Sequence, residues 1–486
     1  MQNNDFSYLE PHIVWKHFQT LCEIPRPSKQ EHQLRQHLIK WATQLGLSTQ
    51  VDQIGNLIIR KPATQGMETK VGVILQGHLD MVTQANRQTN HDFLKDPIRP
   101  VFKDGWLIAE NTTLGADNGI GVALALAVLE SQDIVHGPIE VLLTIDEEAG
   151  MSGARNLEPN LLTGQWLLNI DTEEWGQLYL GCAASLDVEI YQATAVCRPP
   201  QDLQYFDIQL TGLKGGHSGV DIHLGRGNAN VILSQFLSQY LNEFQGHLVK
   251  FSGGTARNAL PREAIATIGI PEKYTHALKQ CLQDFEDIWR KKLKNVDDHL
   301  TLEIQRHLQP VQHIIDPQQQ YDLIQALANC PFGVASMSQT LPDVVQTSNN
   351  IGVVRLDTEQ AQIQIMVRAM ANEDVKNFAV QIQQHFAKFS INAQLSHLVS
   401  GWTPDPQSAA LKCLEQAYQK AFDIHPELKV IHAGLECGII AEHYPGLQMV
   451  SFGPDIQGAH APGERVKVDT VAKCWKLLTT ALALVK

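Results

Sequence analysis

Apolar and polar positions along the chain fall into three stretches of two textures. Leu34, Leu38, Trp41 and Leu45 lie on one helical face, and Ser28 with Glu31 has the spacing of a capping box, so a helix is predicted over 28–46. Apolar runs at 71–76, 139–145 and 166–170 read as buried strands, with helical segments after Asp117 and around 154–162 between them. That alternation predicts an α/β fold with a mostly parallel central sheet covered by helices. From 184 to 400 the pattern becomes two rounds of strand, helix and strand, rich in Gln and poor in metal-binding side chains. Thr255-Ala256-Arg257-Asn258-Ala259 and Thr347-Ser348-Asn349-Asn350-Ile351 each precede an alternating strand and a helix, a short echo that suggests internal duplication. After 401–407 the first texture returns, with a helix over 411–422, strands over 428–431 and 447–452, and a last helix from about Asp469. The expectation is a discontinuous first domain, 1–183 and 401–486, with an α+β domain, 184–400, inserted into it and a cleft between the two.

Composition narrows the partners. The 486 residues carry 38 Lys plus Arg against 52 Asp plus Glu, a net charge of −14, which argues against a nucleic-acid backbone as the main partner. With 43% hydrophobic and 19% charged residues the chain has ample material for buried cores. Its longest apolar stretch, 120–129, falls well short of the roughly 20 residues that span a bilayer, so no membrane partner is expected. The opening MQNNDFSYLEPHIVWKHF has no basic region followed by an apolar run, and no secretory signal is expected. Eight cysteines without a CxxC pair read as thiols of a reducing cytoplasm.

Five segments put carboxylates or histidines where strands of an α/β sheet end: Gly77-His78-Leu79-Asp80, Gly115-Ala116-Asp117-Asn118-Gly119, Asp146-Glu147-Glu148-Ala149-Gly150, Asn169-Ile170-Asp171 and Gly458-Ala459-His460-Ala461-Pro462. His78 and Asp80 are two apart, so on a strand they share a face, and the carboxylate can orient an imidazole whose other nitrogen binds metal. Glu147 and Glu148 are adjacent, which lets one coordinate while the other stays free as a general base. Asp117 precedes a helix and competes for a plain capping role. Charge favours two divalent ions over one: Asp117, Glu148 and Asp171 with a hydroxide balance about four positive charges. With two neutral histidines they make a nitrogen and oxygen donor set suited to zinc or manganese, and no cysteine is needed. The spacing of Gly119 and Gly121 fails the dinucleotide fingerprint, and no Walker loop, HExxH or GxSxG is present.

GHLDMV, TLGADNGIG, TIDEEAGMSGA, LNIDTEE, GGHSGVDI, HAGLECG and GAHAPGER occur in this order, and with them the chain resembles the M20 metallopeptidases, in particular their dipeptidase branch, over nearly its whole length. The resemblance implies a zinc-peptidase-like catalytic domain with an inserted lid. It implies that Asp117 bridges two metal ions, His78 and Asp171 completing one coordination sphere and Glu148 and His460 the other. Zinc is the first expectation for the metals, with cobalt or manganese as alternatives. Asp80 would orient His78, and Glu147 would be the general acid/base that hydrolyses unblocked dipeptides, Xaa-His among them. Members of the family carry a cis peptide after the bridging aspartate, here Asp117-Asn118. In the lid, His217 would meet the substrate carbonyl, with Asn258 beside it; Arg368 is the candidate for the substrate carboxylate, because its fork of donors permits a bidentate pair. Gly434 would let the backbone approach the substrate, and Glu436 is either an amine-recognising group or a helix cap. Lids of relatives often pair, which leaves a homodimer open, although a duplicated lid could supply internally what a partner supplies elsewhere.

Overall fold

The structure is a computed structural model that describes residues 6, 8–339, 341 and 343–486. The chain forms two compact units, Met1–Gly181 with Trp402–Val430 and Leu435–Lys486, and Cys182–Gly401 with Ile431–Gly434. No feature of the sequence had set Ile431–Gly434 apart.

The first unit is built on an eight-stranded sheet. Its centre is four mutually parallel neighbours in the order Ile139–Thr144, Val73–His78, Trp166–Asn169 and Gln448–Ser451. All but Gln448 of these strand residues are buried, which explains their continuous apolar runs. The Ala116–Glu130 helix packs on Val73–His78 and is buried along nearly all its length. The cis peptide expected at Asp117-Asn118 is present. Two glycines allow this helix to come so close: a Cβ on Gly77 would sit 2.2 Å from Asn118 Oδ1, and one on Gly121 would sit 2.1 Å from the Ile170 carbonyl. Packing, not dinucleotide binding, accounts for the glycine at 121.

Three local expectations fail. The helix expected over 28–46 runs His32–Gln44, after an earlier helix His12–Glu23, and Ser28 and Glu31 do not form its capping box. The Ser28 hydroxyl donates to Asp80 at 2.7 Å, while the Glu31 carboxylate accepts the backbone N–H groups of Lys29 and Asp146 at 2.8 and 2.9 Å. Around 154–162 the helix is one turn, Ser152–Arg155; a proline at 159 cannot extend it. The Gly115–Gly119 segment also follows no strand of the main sheet and instead opens the Ala116–Glu130 helix.

The second unit has its own apolar core and a nine-stranded sheet. Eight strands follow the order Thr301–Arg306, Leu203–Thr211, Ala264–Pro271, His247–Gly253, Val345–Leu356, Gln360–Ala369, Ala184–Ala193 and Gln394–Leu395. Counted inward from either edge, each half runs last, first, third, second in its own strand order, and the halves meet where His247–Gly253 pairs antiparallel with Val345–Leu356. The helices are equally placed: Ala229–Tyr240 and Pro317–Ala328 lead to the two meeting strands and pack on each other, while Thr275–Lys292 and Asn372–Ala387 lead to the two outermost. The unit is therefore a topological duplicate about a two-fold relation. The sequence echo does not mark equivalent places, because Thr255–Ala259 follows a meeting strand and Thr347–Ile351 lies inside one.

Candidate metal centre

The sheet's parallel strands deliver the site. His78 ends Val73–His78, Glu147 and Glu148 follow Ile139–Thr144, Asp171 follows Trp166–Asn169, and His460 lies in the loop beyond Gln448–Ser451. His78 Nε2 is 3.2 Å from Asp117 Oδ1 and 3.3 Å from Asp171 Oδ1. His460 Nε2 is 3.2 Å from Asp117 Oδ2 and 3.1 Å from Glu148 Oε2. Two triads of nitrogen and oxygen donors thus share Asp117, one oxygen to each. Ligand atoms at about 2.05 Å from a tetrahedral metal stand about 3.3 Å apart, so each triad has the spacing of one coordination sphere. Glu148 Oε1 is buried without a hydrogen-bond partner, as an oxygen awaiting a cation would be. His460 holds a left-handed backbone, φ 64°, a strain that concentrates at functional positions. The donor set fits divalent cations.

Electrostatics agree. Hydrogen bonds to Asp117 and Glu148 push the His460 pKa up to about 11. Burial opposes the imidazolium of His78, but Asp171, Asp117 and Asp80 hold its pKa well above the ordinary value. Burial pushes Asp171 up to about 6, against the pull of His78. These groups share protons that a bound cation would displace.

Asp80 does more than orient an imidazole. Burial disfavours its charge, but its Oδ1 lies 3.5 Å from His78 Nδ1, and it accepts the Ser28 hydroxyl and the backbone N–H groups of Glu147 and Glu148, at 3.0 and 3.1 Å, which together bring its pKa down to about 2. One carboxylate therefore holds a ligand, a second ligand's backbone and the free glutamate's backbone. Glu147 makes no ion pair or hydrogen bond through its carboxylate among the described contacts, and burial, with Asp171, Glu436 and Glu148 nearby, raises its pKa well above normal despite His78. Glu436, at the start of the Glu436–His443 helix, is fully buried and does not cap it with its side chain. Its Oε2 accepts Gln76 Nε2 at 2.7 Å and the Thr144 hydroxyl at 2.6 Å, so it ties the ends of two parallel strands beneath the site. Burial pushes it up to about 7. Sequence reasoning also passed over Glu173, two residues after Asp171, which burial together with Asp117 raises to about 8.

The four remaining candidates, His217, Asn258, Arg368 and Gly434, belong to the second unit. His217 Nδ1 accepts the backbone N–H groups of Gly219 and Val220, which leaves the ring proton on Nε2 as a donor. Arg368 is buried, with Nε unpartnered, and Arg257 pairs with Asp187 at 3.1 Å. Asn258 is exposed, and its carbonyl accepts the Ser218 N–H at 2.8 Å. A Cβ on Gly434 would meet no atom within 4 Å, so packing does not demand glycine there. His432, a residue not singled out from the sequence, is buried with Nε2 2.8 Å from the Ser348 hydroxyl. Burial, then Arg368, lowers His217 to about 4 and His432 to about 3. A group depressed in this way leaves stability intact above the unfolded value near 6.5; below it the unfolded chain takes a proton that the folded chain refuses. The urea midpoint is therefore expected to fall as pH drops from about 6.5 toward about 4, with a shallower slope for His432→Gln. An unchanged slope in that variant would remove His432 from the account.

Residues at the carboxyl ends of parallel strands, together with Asp117 at the opening of a helix, form two triads of nitrogen and oxygen atoms with a common carboxylate, an arrangement that fits divalent cations. The chain belongs to peptidase family M20/M25/M40, whose model matches residues 74–484. It is 41% identical over 480 residues to the cytosol non-specific dipeptidase of Escherichia coli (strain K12), an alignment that covers 99% of each chain. The crystal structure of aminoacylhistidine dipeptidase from Vibrio alginolyticus superposes with a TM-score of 0.90 at 40% identity, over 99% of this chain and 98% of that one. Aminopeptidase PepT from Bacillus cereus ATCC 10987 shares the fold, with a TM-score of 0.57 at 18% identity over 98% of this chain and 99% of that one.

Proposed function

We propose that this protein is a metal-dependent dipeptidase that cleaves unblocked dipeptides, Xaa-His among them, with two divalent ions held by His78, Asp117 and Asp171 and by Glu148, Asp117 and His460. The observation that carries this reading is the pair of triads sharing Asp117 next to a Glu147 that no ligand or ion pair engages. Zinc is the first choice of metal, with cobalt or manganese as alternatives. Bound ions would supply Lewis-acid polarisation of the scissile carbonyl and a more acidic water. Glu147 takes the proton of the attacking water and returns it to the leaving amine. Asp80 keeps His78 and the Glu147 backbone in register for that transfer. His217, with its Nε2 proton available, is suited to the developing oxyanion, and Arg368 to the terminal carboxylate; Asn258 and Gly434 complete the contacts.

A cytoplasmic setting suits the reading, since the related Escherichia coli enzyme is named a cytosol dipeptidase. Among the described residues no helix is long and apolar enough to cross a membrane. A homodimer remains within it, and the mass in solution decides that point. Offered a free dipeptide, its N-acetylated form and a tripeptide together with zinc, the enzyme is expected to consume the free dipeptide first. Preference for the acetylated peptide would replace this reading with an acyl-amino-acid hydrolase. Binding of the dipeptide by metal-loaded protein without product would replace it with a binding protein.

A further inference from the structure

Glu464 lies four residues beyond His460 and is 2% exposed. Its Oε2 accepts the backbone N–H groups of Leu114 and Gly115 at 2.7 and 2.9 Å, and its Oε1 those of Ala116 and Asp117 at 2.8 and 3.2 Å. Four consecutive amides are thus gathered by one carboxylate from the far end of the chain. The Leu114 amide precedes the Ala116–Glu130 helix, and the other three are donors at its opening, where Gly115 provides no side-chain cap. On the same segment the buried Arg26 takes the opposite polarity. Its Nη2 donates to the Gly115 carbonyl at 2.6 Å, and its Nη1 donates to the carbonyls of Leu79 and Asp80 at 3.0 and 2.9 Å. The Glu464 backbone is itself fixed, because its carbonyl accepts the Ala109 N–H at 3.1 Å and its N–H donates to Ala461 at 3.2 Å.

The geometry points to Glu464 as a positioning residue of the metal centre: through these four amides it sets Asp117, whose two oxygens serve both donor triads, and it joins the Asp117 segment to the loop that carries His460. The inference rests on the metal-centre reading above. Metal sites demand ligand placement within about 0.2 Å, and Asp117 has to satisfy two histidines at once. A carboxylate that accepts four backbone donors fixes main-chain position more tightly than a single cap. Arg26, holding the intervening carbonyl, supplies the compensating buried charge.

In Glu464→Gln an amide group replaces one oxygen and faces two N–H donors. Titrated with Zn2+ against a competing chelator, this variant is expected to bind at least one of the two ions about 10- to 100-fold more weakly than the natural protein. Its zinc-induced rise in thermal midpoint should shrink accordingly. A purely structural Glu464 gives a different result, in which metal-free and zinc-loaded midpoints fall by the same amount at unchanged affinity, and that result overturns the proposal. Asp117→Asn serves as the control. Wild-type-like zinc affinity in the control, or no zinc binding by the natural protein, sinks the metal centre and this proposal with it. Loss of binding in the control with full affinity in Glu464→Gln sinks this proposal alone. Should Glu464→Gln fail to fold, hydrogen exchange on the metal-free natural protein decides: the amides of Leu114, Gly115, Ala116 and Asp117 are expected to be protected together, and exchange of all four at open-loop rates overturns the clamp.

Discussion

Glutamine in place of Glu147 is expected to lower kcat by about 10²- to 10⁴-fold while the protein still takes up its full complement of divalent ions. The reason is positional. Glu147 starts the Glu147–Gly150 turn, its N–H is fixed by Asp80 at 3.0 Å, and its carboxylate takes part in neither donor triad. Glutamine keeps the shape and the backbone bond but cannot accept a proton at pH 7. Metal analysis and steady-state rates on the same sample separate the two roles: lost metal would make Glu147 a ligand, and retained turnover would move the base elsewhere. The conservative change matters, since alanine would also open space beside Asp171 and Glu148.

Asparagine at position 117 is expected to remove the paired metals, leaving at most one ion per chain. An amide offers one oxygen, whereas the Asp117 carboxylate places one oxygen 3.2 Å from each histidine. Burial alone would raise the Asp117 pKa, yet His460 and His78 hold it well below the ordinary range, so its charge is central to the cluster. The affinity loss should be at least the ~100-fold upper end seen when a group that merely supports a ligand is removed, and turnover should fall with it. Two tightly bound ions in Asp117→Asn would show that the triads do not share this carboxylate.

The central strands were legible because a parallel strand buried on both faces carries a run of consecutive apolar residues, as in the VIL of Val73–His78 and the VLL of Ile139–Thr144. The candidate site residues were read from motif order and, for His78, Asp80, Glu147, Glu148 and Asp171, from their place at or just beyond the ends of those runs, whereas Asp117 follows no strand of that sheet. What stayed hidden was side-chain traffic between distant segments. Ser28 and Glu31 have the local spacing of a cap, but Asp80 and the Asp146 amide are stronger claims on them, and nothing near position 28 announces partners 52 and 115 residues away. Glu464 stands inside a motif that was recognised for its histidine, and its real partners lie about 350 residues upstream. Two rounds of strand, helix and strand suggested a duplication, but its two-fold arrangement lies in strand order, which single-chain periodicity does not encode. The short Thr255 and Thr347 echo pointed to duplication from places that are not equivalent.

That strand order also governs the sequence of events during synthesis. The half of the second sheet made of Leu203–Thr211, His247–Gly253, Ala264–Pro271 and Thr301–Arg306 is continuous in the chain and can close as it emerges. Ala184–Ala193, made earlier, pairs with Gln360–Ala369 and Gln394–Leu395, so it has to wait about 170 residues for its first neighbour. At elongation rates of roughly 5–20 residues per second, that strand spends on the order of ten seconds or more with unpaired edges. Its residues Leu186, Val188 and Ile190 end buried in the core, yet until that neighbour emerges the strand's edges stay open to pairing with other chains. The half that can close first leaves its His247–Gly253 edge for Val345–Leu356 to join.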